Sequence, residues 1–94
     1  MITRIVKVKI KPEYKNLFKT YIHEFLSEAS NFKNNHHADC FADLEEVNNF
    51  HIYTIWKTEG ALNKFIKSDV HLAFKSKIKE WQGNPFSAWT VETV

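Results

Sequence analysis

The chain predicts an α+β fold: one antiparallel sheet, ordered β-α-β-β-α-β along the sequence, with helices on a single face. Three observations predict it. The segments "ITRIVKVKI" and "FHIYTIW" alternate at period two. A long stretch after Pro12 repeats apolar residues every three or four positions, and two shorter helical patterns follow the third strand.

In "ITRIVKVKI", Ile2, Val6, Val8 and Ile10 share one face and Thr3, Lys7 and Lys9 the other, the pattern of a half-buried strand rich in β-branched residues. Pro12 suits the first turn of a helix, where a missing N–H goes unused anyway. From there Tyr14, Leu17, Phe18, Tyr21, Ile22, Phe25, Ala29 and Phe32 form one apolar stripe. "NFKNN" supplies asparagines that tolerate left-handed backbone, so this helix should stop near Lys33. Two strands, "HHADCFADLEE" and "FHIYTIW", then flank "VNN", a short polar hairpin junction. Phe50, Ile52, Thr54 and Trp56 face one way, and His51, Tyr53 and Ile55 the other.

Thr58 is placed to cap a helix through Leu62, Phe65 and Ile66, and Ser68 to cap another whose apolar face is Val70, Phe74, Ile78 and Trp81. Gly83-Asn84-Pro85 ends it, and "FSAWTVETV" is strand-like with Trp89 and Val91 on one face. Helices cover one side only, yet Tyr53, Ile55, Trp89 and Val91 make the other side apolar too. Two sheets meeting face to face in a homodimer would bury that excess.

Ninety-four residues with 44% hydrophobic and 15% aromatic content suit one domain over 1–94. A net charge of +2, spread without a dense block, gives no footprint for nucleic acid. Lys75, Lys77 and Lys79 distribute around a helix as a solvated surface. The single cysteine, Cys40, cannot close an intramolecular disulfide, and "MITRIVKV" lacks a signal-peptide core, which together point to the cytoplasm. No apolar run approaches the ~20 residues that span a bilayer, so no membrane partner is expected.

"NNHHADC" contains imidazole, carboxylate and thiolate, all zinc ligands. On a strand, however, His37 and Asp39 point one way and His36 and Cys40 the other, so without a bulge they cannot converge. We expect no metal. His23 lies opposite the long helix's apolar stripe, and His51 belongs to the face assigned to the dimer, where a structural hydrogen bond suits it. His71 follows Val70 at the edge of its helix's apolar face. It is either a partly exposed helix histidine or a side chain turned into the helix–sheet crevice, where imidazole exchanges protons near neutral pH. Trp56 ends its strand on the helix-facing side, with Leu62, Phe65 and Phe74 closing the same space. That is the inventory of an apolar small-molecule pocket with few polar groups. No glycine-rich phosphate loop, GxSxG elbow or paired-carboxylate motif occurs, which ranks hydrolase and nucleotide-dependent chemistry low.

The strand "FHIYTIW" followed by "KTEGALNKFIKSDVHLAF" resembles the antibiotic biosynthesis monooxygenase (ABM) domain family, with Trp56, Ala61, Leu62 and Ser68 matching its strand-end Trp, Ala-Leu pair and Ser before the last helix. The resemblance implies a ferredoxin-like dimeric α+β barrel with one pocket per subunit between sheet and helices. "WKTEGALNKFIKSDV" is most similar to the haem-degrading branch, whose Asn, Trp and haem-binding His correspond here to Val6, Phe65 and Lys75. The quinone-forming branch has an Asn where this chain has Ile52, and many members have an acid at Thr54 and a His at Phe65.

The resemblance and the residues together suggest a monooxygenase without a cofactor, acting on an aromatic or quinol-like substrate. His71 would be the base, Trp56 the wall and hydrogen-bond donor, Lys75 the anion-stabilising cation, and Ile52, Thr54, Leu62, Phe65 and Phe74 the lining. Two rivals remain open: a non-catalytic dimeric module for haem or another hydrophobic ligand, and an isomerase of a small oxygenated metabolite.

Overall fold

In the computed structural model, which describes residues 1–94, the chain runs β1 (Ile2–Lys9), a 3-10 turn at Pro12–Tyr14, α1 (Lys15–Ser30), β2 (Asn35–Ala42), β3 (Asn49–Trp56), α2 (Glu59–Ile66), α3 (Asp69–Trp81) and β4 (Ser87–Glu92). The strands form one antiparallel sheet in the order β2-β3-β1-β4. Ile2, Val6, Val8 and Ile10 are buried under the helices with Phe50, Ile52, Thr54 and Trp56, as alternation predicts. Register pairs Arg4 with Thr54 on one side and with Thr90 on the other, so Arg4 lies on the helix-covered face.

Phe18, Ile22, Phe25 and Ala29 form the buried stripe of α1, whereas Leu17 is exposed. The helix ends at Ser30, three residues before the predicted stop. Asn34 takes up the left-handed backbone with φ 66°, and Asn48 does the same with φ 74° before β3. The second strand is shorter than its sequence suggests. It stops at Ala42 because the Asp43 carboxylate accepts the backbone N–H groups of Glu45 (2.8 Å) and Glu46 (2.9 Å), turning the chain.

Thr58 Oγ1 accepts from the Ala61 amide (3.1 Å) and Ser68 Oγ from that of His71 (3.3 Å), so both short helices carry the caps read from the sequence. α3 buries His71, Phe74, Ile78 and Trp81, while Val70 is only half-buried. The core face is therefore rotated toward His71. Aromatic rings fill the space between the layers: Phe25 stacks on Phe74 at 4.3 Å, and Phe65 lies 4.9 Å from Trp56. On the opposite sheet face Phe41, Trp89 and Val91 are exposed, with Tyr53 and Ile55 half-buried beside them.

A bulge does occur near the histidine cluster, where register shifts between Asn35 and His37. It does not gather the cluster: His37 and Asp39 approach to 3.4 Å by ordinary strand alternation, and no three His, Cys, Asp or Glu side chains gather closely enough to hold a metal. His23 is exposed, and His51 bonds Asp43 at 2.9 Å, the structural hydrogen bond expected of it.

Candidate functional site

Five elements converge on one small space. β1 supplies Arg4 and Val6, β3 supplies Ile52 and Thr54, and α1, α2 and α3 supply Phe25, Phe65, and His71 with Phe74. The cavity they line measures ≈ 10 Å³, at the threshold for a single water. The Ser68 cap fixes the first turn of α3 and with it the inward direction of His71, which is 8% exposed.

His71 Nδ1 is buried without a hydrogen-bond partner. Burial, then the charge of Lys75, then that of Arg4 push the imidazole down to about 4, with only the Ile66 carbonyl acting the other way. The ring is thus neutral at pH 7. Arg4 Nη1 donates to Thr90 Oγ1 at 3.0 Å, but its Nε is buried and unpartnered. Trp56 is fully buried and its indole N–H also lacks a partner. Three polar atoms left unsatisfied among these residues form a departure from the usual pairing of buried polar groups.

Of the residues predicted for a site, His71, Ile52, Thr54, Phe65 and Phe74 line the cavity. Leu62 is buried but lies off the lining, and Trp56 sits behind Phe65, its ring also meeting the edge of Phe32 at 6.5 Å. Lys75 is exposed. It borders a different space, a groove of ≈ 470 Å³ between α3 and the segment leading to β4, with Leu72, Ser76, Lys79, Gln82 and Phe86. Four positions apart on one helix, His71 and Lys75 differ by only ~40° in direction, so cavity and groove follow the same flank of α3. The roomy apolar pocket expected beside Trp56 is not present there, because Phe25, Phe65 and Phe74 occupy it.

Arg4 is the residue the sequence reading passed over. Its signal was available: strand alternation sets it between Ile2 and Val6, the one charged position on an otherwise apolar face. A haem does not fit these residues. The position at which the resemblance puts its ligand is Lys75, and the histidine one turn earlier opens on a cavity the size of a water.

A four-stranded antiparallel sheet in the order β2-β3-β1-β4 with its helices on one face defines a ferredoxin-like α+β class of domain. The family model described as antibiotic biosynthesis monooxygenase matches residues 1–77, and the chain belongs to that family. Solved structures agree on the fold. A putative antibiotic biosynthesis monooxygenase from Nitrosomonas europaea superposes with a TM-score of 0.91 at 16% identity, covering 100% of this chain and 99% of that one. One from Deinococcus radiodurans gives 0.93 at 12% identity, covering 100% and 93%. A conserved protein from Methanosarcina mazei Go1 gives 0.91 at 20% identity, covering 100% and 94%. No curated protein matches the chain.

Proposed function

We propose that the chain is a cofactor-independent monooxygenase acting on an aromatic or quinol-like small molecule, held in the crevice along α3. The observation that supports this is a buried, neutral imidazole whose Nδ1 has no partner, one helical turn from a groove of ≈ 470 Å³, within the roughly 300–1,000 Å³ of small-ligand sites. Triplet oxygen reacts slowly with closed-shell organic molecules, so the protein's task is to make the substrate an electron-rich anion and to keep it dry. His71 takes the proton from the substrate, and Lys75 offsets the charge that develops. A C–O bond then forms as the O–O and C–H bonds break; one oxygen atom stays on the ring and the other leaves as water, the quinol supplying all four electrons by ending as a hydroxyquinone. Phe65 and Phe74 exclude solvent, and a turn of Phe65 aside would present the Trp56 N–H to the same space.

The working unit in this reading is a homodimer joined through the bare sheet face, in the cytoplasm. There Cys40, whose thiol burial and Asp39 push up to about 12, stays an inert thiol. Oxygen uptake by the purified protein with a panel of quinols tests the activity. We expect His71→Ala to lower kcat by about 100-fold or more, the scale of a lost general base, and Trp56→Phe to act mainly through lost packing and the missing N–H. Uptake unchanged in both variants removes the assignments, and no uptake with any quinol removes the activity.

A further inference from the structure

We infer that the crevice recognises its substrate by a carboxylate and that Arg4 binds it, an inference that rests on reading the crevice as a substrate site. Arg4 is a cation on the covered face of the sheet, and the chain gives it no counter-ion. The three ion pairs in the structure involve Lys7, His37 and His51, and Glu92, two positions beyond Thr90 on the same sheet face, is not among them. Water reaches the exposed end of this guanidinium, but Nε is shut off from solvent and from any acceptor, and a ligand anion would compensate it.

The shape of what is missing follows from the bond that is present. Nη1 is committed to Thr90 Oγ1, which leaves the side-on edge formed by Nε and Nη2, with Nε buried and unpartnered. Two parallel N–H groups on that edge match the two oxygens of a carboxylate, whereas a hydroxyl or a lone phenolate oxygen can satisfy only one. Arg4 and His71 line the same cavity, and because its ≈ 10 Å³ holds no more than a water, an acid reaches Arg4 only as Phe65 turns aside, which sets the rest of the molecule against the imidazole. Lys75 adds a second positive charge and no acidic side chain lines cavity or groove, so the whole flank favours an anion. A bound carboxylate also raises His71 from its depressed value, making it a stronger base only when substrate is in place.

The test compares 2,5-dihydroxybenzoate with 2,5-dihydroxybenzamide, which keep one ring and one pair of hydroxyls and differ in charge. Calorimetric titration without oxygen should show the acid binding about tenfold or more tighter than the amide, the scale of one charge-assisted hydrogen-bonded contact. Arg4→Gln should abolish that preference, and Arg4→Lys should keep part of it, having the charge without the fork. Equal affinities in the unaltered protein, no binding of the acid, or an undiminished preference in Arg4→Gln overturns the inference. The unaltered protein decides the matter even where a variant fails to fold. Oxygen uptake then separates the two readings. Tight binding of the acid with no uptake removes the monooxygenase and leaves the Arg4 site, while equal turnover of acid and amide removes the site and leaves the enzyme.

Discussion

His71 couples the site to the stability of the whole domain through its proton. Burial, Lys75 and Arg4 hold its folded pKa at about 4, below the ordinary 6.5, so between those values the unfolded chain takes up a proton that the folded chain refuses. Stability is therefore complete above pH 6.5 and falls as pH drops toward 4. At about 1.4 kcal/mol per pKa unit the loss is about 3 kcal/mol. Asp43 works in a separate window. Backbone N–H groups of Glu46 and Glu45, with the His51 ring, lower it from 3.8 to about 2, so its contribution is lost only as pH falls below 3.8. Urea unfolding at pH 7.5, 6 and 4.5 should show the decline in the unaltered protein and a much shallower one in His71→Gln. The same slope in both would assign the proton to another group.

The short helices are where local sequence and structure agree most closely, because a cap is decided within four residues. Thr58 and Ser68 were legible as caps for that reason. The end of β2 was not, since nothing in "DLEE" announces that the Asp43 carboxylate gathers two amides and turns the chain. The face of α3 was half legible: the three- and four-residue spacing found Phe74 and Ile78, but the sequence cannot say whether Val70 or His71 rotates inward. The Ser68 cap contributes to that choice by holding the His71 amide, and its hydroxyl also donates to the Phe65 carbonyl at 2.6 Å. Ser68→Ala should cost about 1 kcal/mol, as should Thr58→Ala. Only Ser68→Ala should move the His71 titration followed by NMR, because only it loosens the first turn of α3. Matching shifts in both variants would make the cap a stability element alone.

At the scale of the molecule, alternation at period two showed both faces of the sheet to be apolar, which is why the topology and the bare face were legible together. Cavity size was not, because it depends on how Phe25, Phe65 and Phe74 interdigitate, and no spacing records that. The bare face has its own geometry. Phe41 and Tyr53 meet edge to face at 5.6 Å across β2 and β3, while Trp89 and Val91 continue the patch on β4, and Phe41, Trp89 and Val91 are 43–50% exposed. A twofold axis would let this one apolar patch cover itself on a second copy, since an isologous contact uses the same surface of both. Light scattering at tens of micromolar should therefore give about twice the 11.1 kDa chain mass. Phe41→Glu with Trp89→Glu should yield monomers that still fold, because neither side chain belongs to the core under the helices. Their melting temperature should lose the rise with concentration that a dimer shows. A monomer in the unaltered protein would leave the patch without its twin.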